Sequence, residues 1–270
     1  MHKLGPPIKS YLKGKLYSFE VAEISSQSYF VFLPNCWSRD SKILVCVHGI
    51  SRKSKEQIRL LRKSASASNT ILIVPYFTAT EHPSYQRHEV GLNGVRSDEL
   101  LNNIIADTQS RLEINIEKFD LFGFSGGAQF SHRYAFRYPH KISKLIVCAA
   151  GWYTFPNLQD SFPYGIADNE VNHFIQGITD KQLSDFLKIP ITVAVGEYDI
   201  GFESSLNQSK EINSLQGYTR VERAISWTKS LLKECENRNI SPQIKFILLQ
   251  KSGHSFTECV NFGRLSSYIF

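Results

Sequence analysis

Apolar residues along this chain follow two rhythms. The first roughly 33 residues alternate: Leu16, Tyr17, Phe19, Val21 and Ile24, then Tyr29 through Leu33. Alternation marks half-buried strands, so this stretch predicts an antiparallel hairpin at a sheet edge. Further on, compact runs replace the alternation: Ile43–Val47, Ile71–Val74, Phe119–Phe122, Leu145–Cys148, Ile191–Val195 and Ile244–Leu249. Strands covered on both faces read this way. Segments with helical spacing lie between most of them, at about 55–63, 98–112, 126–138 and 219–239, with another at about 256–268 after the last strand. Strand and helix in repetition mean parallel strands joined by crossovers. The prediction is an α/β fold: a mostly parallel, doubly wound sheet with an antiparallel N-terminal hairpin. Residues 1–270 read as one domain with a short lid-like insertion at about 149–188, interrupted by Pro156 and Pro163, with room for one or two short helices. In such sheets ligands bind at the carboxyl ends of the strands, which is where chemistry is to be sought.

Composition fits that picture. Apolar residues make up 42% and charged residues 21%, too apolar for a disordered chain. No apolar run approaches the roughly 20 residues of a membrane-spanning helix. The start, MHKLGPPIKSYLKGKLY, lacks an apolar stretch and a small-residue cleavage site, so a signal peptide is not expected. Five cysteines, an odd number without a CxxC spacing, read as reduced and mostly buried thiols of a cytoplasmic protein. The net charge of +6 is spread out. Its densest cluster, Arg52 to Lys63, reads first as a solvated helix face, and no nucleic-acid partner is expected. The sequence does not set the oligomeric state.

Four strand ends carry polar groups. Ile43–Val47 runs into His48-Gly49-Ile50-Ser51, and Phe119–Phe122 into Gly123-Phe124-Ser125-Gly126-Gly127. Ile191–Val195 runs into Gly196-Glu197-Tyr198-Asp199, and Ile244–Leu249 is followed by Gly253-His254-Ser255. G-x-S-x-G between strand and helix puts its serine on a sharp, strained corner with the hydroxyl exposed. The serine hydroxyl is a poor nucleophile without an adjacent base, for which His254 is the candidate. The imidazole needs an acid to fix its tautomer, for which Asp199 is the candidate. The Gly126 N–H, at the helix start, and the Ile50 N–H, in the loop after the first parallel strand, are the candidate oxyanion donors. G-x-S-x-G alone also serves for packing; the ordered strand-end Ser, Asp and His make the functional reading the stronger one.

These residues carry a resemblance. The chain resembles the α/β-hydrolase superfamily over nearly its whole length. "VHGISRK", "FGFSGGAQFSHRYAFRYP", "AAGWYTFP" and "SGHSF" are similar to bacterial serine hydrolases of the polyhydroxybutyrate-depolymerase and feruloyl-esterase-like type. The resemblance implies Ser125 as nucleophile, Asp199 as acid, His254 as base, and an oxyanion hole from Ile50 and Gly126. It implies no cofactor and a small-molecule ester substrate. The His-Gly-Ile-Ser loop departs from the longer HGGG loop of many esterases, which disfavours bulky tertiary-alcohol esters. A carrier- or coenzyme A-linked thioester is the alternative substrate, and a non-catalytic small-molecule-binding member of the fold is the alternative of another class.

Several residues compete for these roles. Glu197 lies two positions before Asp199; the family pattern favours Asp199. His48 is expected to brace its loop, and His132 lies about two helical turns from Ser125, too far for a direct hydrogen bond. His82 and His88 lack metal-ligand spacing, so no metal is expected. His140 follows Pro139 at a helix end, and His173 lies in the insertion without a motif. Tyr76, Phe77, Trp152 and Tyr153 are the candidate pocket residues, with ordinary core packing as the rival reading for each. Phe124 is expected to pack beneath the turn.

Overall fold

The computed structural model describes residues 11–21, 27–168, 177–203 and 205–270. Its sheet comprises β1 (Leu16–Glu20), β2 (Ser28–Phe32), β3 (Lys42–Val47), β4 (Thr70–Pro75), β5 (Phe119–Phe124), β6 (Ile142–Cys148), β7 (Ile191–Gly196) and β8 (Ile244–Leu249). The strand order is β1-β2-β4-β3-β5-β6-β7-β8. The β1–β2 and β2–β4 pairs are antiparallel and every other pair is parallel. This is the doubly wound sheet with an antiparallel start that the two apolar rhythms predict.

Helices cover both faces. On one, α1 (Ser54–Ala67), α7 (Phe256–Asn261) and α8 (Ser266–Ile269) bury Ile58, Leu61, Cys259 and Ile269 against Leu44, Leu72, Phe122 and Ile146. On the other, α2 (Ser97–Leu112), α3 (Gly126–Arg137), α4 (Asp180–Phe186) and α6 (Arg220–Asn237) bury Leu101, Phe130, Phe186 and Trp227 against Val45, Leu121, Val147 and Val193. The strand residues in the two groups alternate, as the pleat requires. A short helix, α5 (Lys210–Gln216), was not legible as a helix and is capped by Ser209, whose hydroxyl accepts the Ile212 N–H.

Three expectations shift. The helix expected at 256–268 is two helices, because the chain turns between them at Arg264, which takes φ 54°, while Gly263 passes so close to the sheet that a Cβ there would lie 2.7 Å from Leu249 Cβ. β8 reads as a buried strand but lies at the sheet edge, with Leu248 38% exposed, because nothing pairs with its outer side among the described residues. In the 149–188 insertion, Gly151, Trp152, Tyr153 and Thr154 belong to the core. The Tyr153 ring stacks on Trp227 at 4.7 Å, and the Trp227 indole N–H donates to the Thr154 carbonyl. Truncating Trp227 to Ala would cost about 3–5 kcal/mol by the ordinary cost of an emptied aromatic site.

Candidate active site

The turn from β5 into α3 is built by glycines that let helix and strand nearly touch. A Cβ on Gly123 would lie 2.1 Å from the Gly127 carbonyl oxygen, and one on Gly127 would lie 2.1 Å from that of Val47. With this approach, Ser125 is forced to φ 55° and ψ −116°. That conformation costs a non-glycine residue roughly 1–3 kcal/mol and persists only where the surroundings over-determine it. They do: the Ser125 N–H donates to Cys148 O at the end of β6 (2.8 Å), and its carbonyl accepts the Ala128 and Gln129 N–H groups. The hydroxyl is thereby presented at the carboxyl end of the sheet.

Two more strand ends meet it. The loops after β7 and β8 are laced together: Tyr198 N–H donates to Ser252 O (2.8 Å), Asp199 N–H to Gly196 O (3.1 Å), and Lys251 N–H to the Glu197 carboxylate (3.0 Å). Gly253 N–H donates to Glu258 on α7, whose first turn Ser255 caps. His254 lies between these anchors. Its Nδ1 is 2.7 Å from Asp199 Oδ2 and its Nε2 is 3.1 Å from Ser125 Oγ. A carboxylate can only accept from Nδ1, so that nitrogen carries the proton and Nε2 turns its lone pair to the hydroxyl. The Asp199 side chain is 1% exposed, and its other oxygen accepts from Arg220 Nη1 at 2.9 Å. Burying a carboxylate this deeply costs its hydration, and these hydrogen bonds replace it.

Opposite His254, Ile50 and Gly126 come together: a Cβ on Gly126 would lie 3.2 Å from the Ile50 nitrogen. Neither N–H has an acceptor among the described residues, and the Gly126 N–H, at the first position of α3, has none within its helix. The Ile50 loop is held rigidly. Arg52, at φ 56°, donates to the carbonyls of Ile50, Phe77, His82 and Pro83. The Gln57 amide donates to the Val47 carbonyl at 3.1 Å. Arg52, the first member of the basic cluster, is thus committed to the backbone, while Lys55, Arg59, Arg62 and Lys63 are exposed.

A cavity of about 520 Å³ opens over this arrangement, walled by Ile50, Lys53, Glu56, Phe124, Ser205 and Phe256 as well as Ser125 and His254. Residues 42–252 match the alpha/beta hydrolase fold family. The chain belongs to that family. Among solved structures sharing the fold, poly(aspartic acid) hydrolase-1 from Sphingomonas sp. KT-1 is 20% identical, with a TM-score of 0.81 over 96% of this chain and 99% of that one. LpqC, a poly(3-hydroxybutyrate) depolymerase from Bordetella parapertussis, is 19% identical, with a TM-score of 0.78 over 96% and 88%. An S-formylglutathione hydrolase from Staphylococcus aureus is 13% identical, with a TM-score of 0.62 over 96% and 99%. No curated protein matches the sequence.

The pocket residues expected for this alpha/beta hydrolase need correction. None of Tyr76, Phe77, Trp152 and Tyr153 walls the cavity. Phe77 is fully buried, stacked on Tyr85 at 4.9 Å. Tyr153 lies under Trp227, Trp152 covers the buried Arg133 guanidinium, and Tyr76 packs between Phe30 and His48. Large aromatics beside a sheet are claimed by the core before they can line a solvent-filled space. Phe124 reverses its expectation as well: it lines the cavity, its ring 5.3 Å from that of His254 and nearly parallel to it. Lys53 was legible only as part of the basic cluster, and Glu56, Gln57, Ser205 and Arg220 gave no motif signal.

Among the described residues, the buried histidines, unlike His254, are spent on packing and backbone contacts. His132 donates from Nδ1 to Ala128 O and accepts the Thr154 N–H on Nε2, and burial holds it well below the usual imidazole range. His88 is buried against Phe130, its pKa pushed down to about 3, and burial lowers His82 to about 4. His140 is exposed, and His173 lies outside the described residues. Glu197 bonds the Lys251 N–H. Among the described residues no cluster of three or more His, Cys, Asp or Glu side chains is gathered for a metal, and no helix is long and apolar enough to cross a membrane.

Proposed function

We propose that this alpha/beta hydrolase cleaves a carboxylic ester by two-step acyl transfer. The observation that carries the reading is the row Ser125 Oγ–His254 Nε2–His254 Nδ1–Asp199 Oδ2, with links of 3.1 and 2.7 Å. In this reading Ser125 attacks the carbonyl while His254 Nε2 takes its proton. The N–H groups of Ile50 and Gly126 receive the oxyanion, and Asp199 stabilises the imidazolium. His254 returns the proton to the departing alcohol. Water, deprotonated by the same nitrogen, then releases the acid. No step calls on a cofactor, a metal or a nucleic-acid partner.

A second reading concerns the substrate's charge. The Lys53 ammonium shares the cavity with Ser125 and has no ion-pair partner among the described residues. Although the Glu56 carboxylate lines the same cavity, Lys53 offers a contact for an anionic group of the substrate, as in coenzyme A or carrier-linked thioesters. Poly(aspartic acid), named for one structural neighbour, has the same charge. Matched oxygen and sulfur esters, each neutral or anionic, separate these substrates.

The deciding experiment is hydrolysis of p-nitrophenyl esters of increasing acyl length by the native protein and Ser125→Ala, with fluorophosphonate labelling in parallel. Turnover and labelling by the native protein only are expected. An equally active Ser125→Ala protein would falsify the nucleophile assignment. A native protein that neither labels nor turns over points to the non-catalytic binding member of the fold.

A further inference from the structure

Arg220 is 2% exposed at the first position of α6. A capping box fixes that helix start, with Thr219 and Glu222 exchanging hydrogen bonds. The guanidinium therefore enters the site from a rigid element. Nη1 donates to Asp199 Oδ1 at 2.9 Å, while Nη2 lies 3.2 Å from Ser205 Oγ and 3.4 Å from a Glu203 oxygen. Ser205 walls the cavity. The remaining nitrogen, Nε, is buried with no hydrogen-bond partner among the described residues. A buried cation with an unsatisfied donor is a poor stabilising device, since apolar replacements of such pairs are often neutral or better for stability. Its place needs another explanation.

We propose that Arg220 is a positioning residue for the acyl transfer described above. One guanidinium holds Asp199 Oδ1, so that Oδ2 faces His254, and its other amino group ties the acid to the cavity wall at Ser205. The inference rests on the serine-hydrolase reading. Arg220 also sets the charge balance of the Asp199–His254 pair. A cation bonded to the carboxylate offsets the negative charge that would otherwise draw a proton to the pair, so removing it should make proton uptake easier.

Arg220 is the cation hydrogen-bonded to the pair, while Lys53 and Glu56 line the cavity that His254 shares. Glu203, in the loop after β7, is half exposed. Arg223, the next turn of α6, is occupied by the carbonyls of Gly151, Asn207 and Gly217. Cys148 at the end of β6 and Tyr153 are held neutral by burial, which raises both. Cys259 on α7 lies beside Cys148. Glu197 and Glu258 bond the N–H groups of Lys251 and Gly253.

The test follows His254 in two ways: the acid limb of kcat/KM on a p-nitrophenyl ester, and its imidazole titration by NMR, which needs no turnover. In Arg220→Met both midpoints should rise by about one unit or more. Arg220→Lys keeps the charge but not the two-ended grip, so its midpoint should stay within a few tenths while kcat falls about tenfold. Ser205→Ala should raise KM several-fold and leave the limb in place. Unmoved midpoints in Arg220→Met, or an unchanged kcat in Arg220→Lys, would overturn the proposal; the latter decides even if Arg220→Met does not fold. If the native protein fails to turn over or label Ser125, the catalytic reading fails instead, and the NMR titration still reports whether Arg220 governs the pair.

Discussion

Two histidines wall the same cavity, and they have opposite surroundings. His48 is 1% exposed, and both its nitrogens are committed to backbone: Nε2 accepts the Phe77 N–H at 3.1 Å and Nδ1 donates to Gly49 O at 2.9 Å. Adding a proton would break the first of these bonds inside a dry site, and burial pushes the His48 pKa down to about 4. His254 keeps a partly exposed ring and bonds to side chains, an anion on one nitrogen and a hydroxyl on the other. A hydroxyl can give up a proton, whereas a peptide N–H cannot at ordinary pH. What separates a structural from a chemical histidine here is therefore the identity of its partners. Both residues leave a strand end and both are flanked by glycine.

The largest effect that would break this comparison is on turnover. His254→Gln should lower kcat on the p-nitrophenyl esters by roughly 10⁵–10⁶-fold with little change in Tm. His48→Gln should reverse the pattern, losing about 1–3 kcal/mol in urea unfolding through the orphaned Phe77 N–H and only about tenfold in kcat. Next in size, Asp199→Asn should lower kcat by about 10⁴-fold through the wrong imidazole tautomer. Glu197→Gln, read in the same assay, should stay within about twofold.

Stability sharpens the comparison further. Burial holds His48, His82, His88 and His132 below the ordinary imidazole pKa of 6.5. Above pH 6.5 both native and unfolded forms are neutral. As pH falls below that, the unfolded chain takes up protons that the native one refuses, so stability declines from about pH 6.5 down to about 4. Thermal melts across this range should show Tm falling with pH, and His48→Gln should flatten the slope. A modest effect is expected from Arg52→Met, a several-fold drop in kcat measured on the same ester, since Arg52 braces the Ile50 loop without touching the reacting row.

Much of this was legible in the sequence. The buried-strand runs and the order of Ser125, Asp199 and His254 are local signals, because a strand end needs particular residues to turn. The aromatic wall was misread because composition does not say which face of a packed layer a ring occupies: Phe77 and Tyr153 lie in loops near the site but are spent on the core. Arg220 gave no signal at all. Its role comes from a 21-residue separation in sequence closed by the fold, and an arginine at a helix start looks like any other surface residue until Asp199 is placed beside it. β8 was read as buried because an edge strand can be as apolar as a central one.

That edge position has a consequence for heat. Ser125 leaves a strand with neighbours on both sides, whereas His254 hangs from a loop whose strand pairs, among the described residues, only with β7. The margin of a sheet is where amide exchange is fastest and where a domain first loosens on warming. The base should drift out of register while the serine corner is still folded. Activity would then be lost reversibly several degrees before the chain as a whole melts.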